Sequence, residues 1–172
     1  DVIIGGPPCQ GFSMAGARIR QGFIDDPRNY LFKHYFNLVK KVRPKAFVLE
    51  NVKGMLTMQK GKIFNEIIST FSNEKFLDGA PYHLHHRIIN TKEFGIPQKR
   101  ERLIIIGTML ENIEFNVLWD KTKQEIKEEL PSFFDEVTLK DAIANLPEAC
   151  KDGEVVNPIP NTDYQKYLAR NI

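Results

Sequence analysis

Residues 1 to 13 read Asp-Val-Ile-Ile-Gly-Gly-Pro-Pro-Cys-Gln-Gly-Phe-Ser. The β-branched run Val2, Ile3, Ile4 has strand character, two glycines break it, and two prolines fix the backbone that follows. Cys9 is thereby set just beyond the carboxyl end of a strand, the edge at which open α/β sheets bind ligands. A second apolar run, Ala46-Phe-Val-Leu-Glu50, ends in a carboxylate. Between the two, Leu31, Tyr35, Leu38, Val39 and Val42 recur at helical spacing, with Asp26-Pro27 as a start and Pro44 as a stop. Strand, helix, strand at this length predicts a right-handed βαβ unit. Both strand ends then face one sheet edge, and Cys9 and Glu50 can share a pocket.

Farther along, Gly61 precedes an amphipathic helix in which Phe64, Ile67, Ile68 and Phe71 form one stripe. Tyr82 to Asn90 and Arg102 to Thr108 read as strands joined by a segment containing Gly95-Ile-Pro97. Just ahead of the latter strand, Gln98, Arg100 and Arg102 alternate, so an extended chain would point them one way, with Lys99 and Glu101 pointing the other. Lys121 to Leu130 reads as a charged helix, Thr138-Leu-Lys-Asp141 has capping-box spacing, and Tyr164 to Leu168 is a short helical pattern. There is no internal repeat and no low-complexity tract.

A chain of 172 residues can bury a real core within one domain. With 42% hydrophobic and 27% charged residues it falls in the ordinary range of soluble globular proteins. No apolar stretch approaches the roughly 20 residues of a membrane span, and no signal-peptide pattern precedes Asp1, so an intracellular protein without membrane association is expected. The two cysteines, Cys9 and Cys150, support neither a disulfide framework nor a zinc site. His83 and His85 share a strand face without a third ligand while His86 points oppositely, so no metal is expected. Residues 1 to 110 carry an excess of eight positive charges and residues 111 to 154 an excess of seven negative ones. A polyanion would meet the first part. A start without methionine and inside a strand pattern suggests a fragment, whose exposed sheet edges would favour self-association.

The Pro-Pro-Cys-Gln segment, Glu50-Asn51-Val52, and Gln98-Lys99-Arg100-Glu101-Arg102, in this order, closely resemble the motifs of the cytosine-5 DNA methyltransferase family. The likeness is strong over residues 1 to 108 and weaker beyond. It implies an α/β fold, a partial Rossmann-like S-adenosylmethionine-dependent methyltransferase fold with parallel strands and a terminal antiparallel strand pair. Residues 1 to 110 would be part of the catalytic domain, and residues 111 to 172 a connector toward the target-recognition domain. The implied partner is double-stranded DNA and the implied cofactor S-adenosylmethionine, touched here by Pro8 and Leu31. Most other cofactor elements would lie upstream of Asp1, so the chain by itself is expected to be inactive.

The chemistry asks for these residue types. Carbon 5 of cytosine is a weak nucleophile until a thiolate adds to carbon 6, and Cys9 is the candidate for that thiolate. Nearby arginines or backbone N–H groups would raise the thiolate fraction of an ordinary thiol. Addition places negative charge in the ring, which a carboxyl group relieves by giving N3 a proton or a hydrogen bond, a role that suits Glu50. Burial would favour the protonated acid and a neighbouring arginine the carboxylate, and both remain open. In the family the second arginine of the third motif holds the cytosine O2, which matches Arg102, while Arg100 would support Glu50 or the loop. Residues 10 to 28 have the glycine-rich, basic composition of a loop that closes over substrate and excludes water. By resemblance Gln10, Ser13 and Arg28 are its DNA or closure contacts.

Two other readings compete. A transfer-RNA cytosine-5 methyltransferase would keep the chemistry, but the Cys-Phe-Thr motif of that branch is absent. A non-catalytic nucleic-acid-binding homologue would have no chemical use for Cys9, Glu50 and Arg102 together. A bacterial cytoplasmic enzyme of a restriction-modification system is the default expectation, with the nucleus as the location in a eukaryote.

Overall fold

A computed structural model describes residues 1–7, 31–111, 113–131, 137–146 and 158–170. Within them lie β1 (Val2–Gly5), α1 (Leu31–Val42), β2 (Ala46–Val52), α2 (Lys62–Phe71), α3 (Glu74–Leu77), β3 (His83–Asn90), β4 (Glu101–Thr108), α4 (Phe115–Glu129), α5 (Leu139–Ile143) and α6 (Asp163–Ala169). None of these helices is long and apolar enough to cross a membrane. The chain divides into two compact units. One comprises Asp1–Ile89 with Glu101–Phe115, the other Asn90–Arg100 with Asn116–Ile172.

The first unit is a mixed α/β arrangement on a four-stranded sheet of order β1-β2-β4-β3. β1 and β2 run parallel, pairing Val2 with Ala46 through Gly5 with Leu49. β4 lies antiparallel to β2, pairing Ala46 with Thr108 through Val52 with Arg102. The parallel pair fits the predicted βαβ unit, and the antiparallel step accommodates the two strands that follow it in the chain.

Burial along β2 alternates strictly, so one face of this sheet packs the core and the other stays half-buried. Phe47, Leu49, Leu103 and Ile105 line the core face and are fully buried, packed in one cluster with the buried Tyr35 and Val39 of α1 and Ile63, Ile67 and Phe71 of α2. Burying a side chain such as Phe47 contributes about 1.5–3 kcal/mol. Its ring lies 4.4 Å from Phe71 and 5.0 Å, edge to face, from Tyr82. Gly107 stands directly opposite Phe47 on β4. A Cβ there would fall 2.2 Å from the Phe47 ring, so glycine is what admits the aromatic side chain.

On α1 the core contact is narrower than the periodicity implied. Tyr35 and Val39 are buried, whereas Leu38 and Val42 are about half exposed. The Tyr35 hydroxyl donates to the Val48 carbonyl at 2.9 Å and lies 3.2 Å from that of Ile3, fastening α1 across β1 and β2. Burial pushes this phenol well above its usual range.

The second unit holds α5, which carries the predicted capping box between Thr138 and Asp141. It also holds α6, with a capping box between Thr162 and Gln165 that the sequence reading did not anticipate. α4 begins at Phe115, six residues before the charged stretch read as its start. Phe115, Leu118 and Trp119 do recur at helical spacing, but the helix expected from the sequence begins only at the charged run that follows. The Phe115 ring stacks on His85 at 4.7 Å, and Trp119 meets Phe94 edge to face at 6.3 Å.

Candidate active site

The carboxyl ends of β1 and β2 meet at the point where the sequence places a turn. Because Gly5 pairs with Leu49, Gly6 comes alongside Glu50. A Cβ on Gly6 would lie 3.0 Å from Glu50 Oε2, so the bare backbone lets the carboxylate rest against it. One residue on, Asn51 is 4% exposed. Its Nδ2 donates to the Pro7 carbonyl at 3.2 Å, and its Oδ1 accepts from the Val52 N–H at 2.9 Å.

The antiparallel register supplies the cation. Val52 faces Arg102 and Glu50 faces Ile104 across the ladder. Alternate residues share a face, so Glu50 and Arg102 are diagonal neighbours, within reach of long side chains. Arg102 Nε lies 2.8 Å from Glu50 Oε1, with the arginine side chain 17% exposed and that of the glutamate 43%. Arg102 also donates from Nη1 to the Glu101 carbonyl at 2.7 Å. A guanidinium has five N–H donors, more than these two bonds consume. On the opposite face Glu101 is ion-paired with Lys53, as the alternation of the motif predicts.

Ahead of β4 the chain turns at Ile96–Gln98, and Thr91 holds the segment that follows. Gln98 N–H donates to the Ile96 carbonyl at 2.7 Å, and the Thr91 hydroxyl donates to the Gln98 carbonyl at 2.6 Å. Gly95 sits in the left-handed conformation that this turn requires, at φ 72°. Arg100 is exposed, its carbonyl accepting from Thr91 N–H at 3.0 Å. Of the predicted cofactor contacts, Leu31 is half-buried at the first residue of α1. Pro8, Cys9, Gln10, Ser13 and Arg28 lie outside the described residues, as does Cys150.

The structure thus brings together Glu50, Arg102 and the turn that leads to Cys9. Asn51 and Gly6 are the members of this site to which the sequence reading assigned no task. The available signal was a polar carboxamide directly after a strand of buried alternating residues, where an apolar side chain would be expected. Two of the histidines have aromatic neighbours, His85 stacked on Phe115 and His86 edge-on to Phe64 at 4.8 Å, while His83 is exposed. Chemically, the site offers a carboxylate and a guanidinium side by side at a sheet edge, a pair suited to a polar planar ring with an oxygen and a neighbouring nitrogen.

Comparison with known proteins gives a consistent result. The family model described as C-5 cytosine-specific DNA methylase matches residues 1–168. The chain is 38% identical over 146 residues to the Type II methyltransferase M.BspRI of Lysinibacillus sphaericus, covering 85% of this chain and 31% of that protein. It is 40% identical over 148 residues to the Type II methyltransferase M1.HphI of Haemophilus parahaemolyticus, covering 86% of this chain and 35% of that one. Among solved structures, a prophage-encoded E. coli protein described as a DNA modification methyltransferase aligns at TM-score 0.56 and 31% identity, over 87% of this chain and 36% of that chain. The chain therefore spans about a third of the length of the curated relatives it matches.

Proposed function

The chain belongs to the C-5 cytosine-specific DNA methylase family, and on that premise we propose that it presents the nucleophile, acid and guanidinium of a DNA (cytosine-5) methyltransferase to a cytosine turned out of double-stranded DNA. The observation that carries this reading is the Glu50–Arg102 pair beside the Gly6-Pro7 turn. Extruding the base costs a few kcal/mol, offset by contacts to the phosphates and to the pocket.

In the proposed reaction the Cys9 sulfur bonds to carbon 6 and the electrons of the 5,6 double bond become available at carbon 5. Glu50 holds a proton or a hydrogen bond at N3, and Arg102 disperses charge at O2. S-adenosylmethionine, when bound, supplies the methyl group for carbon 5, its sulfonium leaving as a thioether. Loss of the carbon-5 proton to a base then restores the double bond and expels the Cys9 thiolate. Pro8 and Leu31 would touch the cofactor, and the half-buried start of α1 is compatible with that contact. Arg100 would support the acid or the loop, and Gln10, Ser13 and Arg28 would contact DNA or close the loop. Having about a third of its relatives' length, the chain alone is expected to transfer methyl groups negligibly.

Fluorine at carbon 5 blocks the proton loss, so the full-length protein carrying this chain should form a lasting covalent adduct with 5-fluorocytosine duplex DNA. Cys9→Ser should abolish the adduct. An undiminished adduct in that variant would remove Cys9 from the mechanism. Single-stranded DNA and transfer RNA, run in parallel, test the choice of substrate.

A further inference from the structure

We propose that Asn51 is a positioning residue for this reaction, its carboxamide tying the chain that leads to Cys9 to the strand that carries Glu50. The inference rests on the roles given to Cys9 and Glu50 above. Parallel strands are held together by main-chain N–H groups, and Pro7 and Pro8 have none, so the β1–β2 ladder loses its donors on that side just where the nucleophile segment begins. Asn51 Nδ2 joins the segment to β2 by a bond of the opposite direction, donating from β2 to the Pro7 carbonyl, an acceptor that proline keeps, across a sequence separation of 44 residues.

The alternative, that Asn51 is merely a tolerated core polar group, accounts poorly for its surroundings. It is 4% exposed and faces fully buried Leu103 across the ladder. An apolar side chain would pack there without the cost of desolvating an amide. The bond from Val52 N–H to Asn51 Oδ1 is local and orients the carboxamide, directing its donors to Pro7. Gly6 rests against Glu50 Oε2, so the same two residues of turn are referenced to both the acid and the amide. Cys9 follows Pro7 by two residues, which covalent geometry limits to about 7 Å between Cα atoms. The bond at Pro7 therefore restricts where the thiol can be relative to Glu50 and Arg102.

The test is the alkylation of the 172-residue chain by iodoacetamide across pH 6 to 10, with Cys9 and Cys150 resolved by peptide mass spectrometry. Asn51→Leu is close in size, adds no charge and offers Pro7 no donor. It should change the Cys9 rate at least threefold and displace the midpoint of its pH profile, with Cys150 unchanged. Ile67→Val, a packing change in α2, should move neither. An unchanged Cys9 rate and midpoint in folded Asn51→Leu would overturn the proposal, as would parallel changes at both cysteines. If that variant does not fold, wild-type NMR decides. The Asn51 side-chain N–H groups should exchange at least tenfold more slowly than exposed carboxamides, and exchange at the exposed rate refutes the tie. The fluorocytosine adduct is a separate readout. An Asn51 effect on Cys9 in a protein whose full-length form makes no adduct would end the methyltransferase reading and leave the positioning role standing.

Discussion

Gly107→Ala should be among the most damaging single-methyl additions in the first unit, because Gly107 holds the register on which the Glu50–Arg102 pair depends. The new Cβ would sit 2.2 Å from Phe47 Cε1, 2.4 Å from Cζ and 2.9 Å from Cδ1, where ordinary contact begins at 3.4 Å. The ring would have to retreat by about 1 Å, and Phe71, Tyr82 and Tyr35 already surround it. Overpacking of this kind typically costs about 1–3 kcal/mol, and the closed surroundings argue for the upper end, about 3 kcal/mol. At about 1.4 kcal/mol per tenfold, that is more than 100-fold in the folding equilibrium. For a chain of this length it corresponds to a Tm lowered by about 6–12 °C. Urea titration followed by far-ultraviolet circular dichroism is the appropriate assay, since Trp119 belongs to the second unit and its fluorescence would report on that unit. In a Phe47→Leu background the same substitution should cost less than about 1 kcal/mol, giving a coupling of at least about 1.5 kcal/mol. A cost below about 1 kcal/mol in the wild type, or an equal cost in both backgrounds, would refute the account of Gly107 as the space into which Phe47 packs.

Tyr35→Phe removes the hydroxyl shared between Ile3 and Val48 and should cost about 1 kcal/mol in the same titration. Burial raises the Tyr35 phenol, and that of Tyr82 against the opposing effect of Arg43, so their contribution to stability is complete below pH about 10 and is lost as pH rises through the folded-state values. Absorbance at 295 nm should show part of the tyrosine signal appearing only well above the ordinary phenol range in the folded protein, and loss of that late phase in Tyr35→Phe would assign it, whereas no late phase would contradict the burial. Asp141 is held below the usual carboxylate range by its hydrogen bonds from Thr138, so the α5 cap is intact above pH about 4 and opens as pH falls through the lowered value. NMR titration of the Asp141 carboxyl should move upward toward the ordinary value in Thr138→Ala; no movement would disprove the cap as the cause. Arg102→Lys keeps a charge but not the Nε donor or the fork. In the full-length protein it should lower the rate of fluorocytosine adduct formation at least tenfold with Tm changed by only a few degrees, and a wild-type rate would remove Arg102 from the site.

Local chemistry made several elements legible before any coordinates. The β-branched run at Val2 to Ile4, the strand ending in Glu50 and the amphipathic helices between and after them are written in short-range periodicity. The Thr138–Asp141 capping box is likewise a contact between residues three apart. Where the reading failed, the missing information was not local. Leu38 and Val42 fall on the apolar stripe of α1 yet are about half exposed, because burial depends on what packs opposite. The first turns of α4, ahead of the charged run, make aromatic contacts through Phe115 and Trp119.

The amino-acid order alone determined which reactive groups the protein carries and that β1 and β2 would form as strands with a turn after the first, because strand and turn preferences act over a few residues. Only the tertiary structure decided that Arg102, fifty-two residues beyond Glu50 in sequence, becomes its diagonal partner, and that Asn51 donates to the Pro7 carbonyl beyond the end of the β1–β2 ladder. Both follow from strand register, which is settled by what packs across the sheet. Phe47 over Gly107 is such a contact, and a slip of two residues would set that ring against Ile105 or Met109, where a side chain already occupies the space.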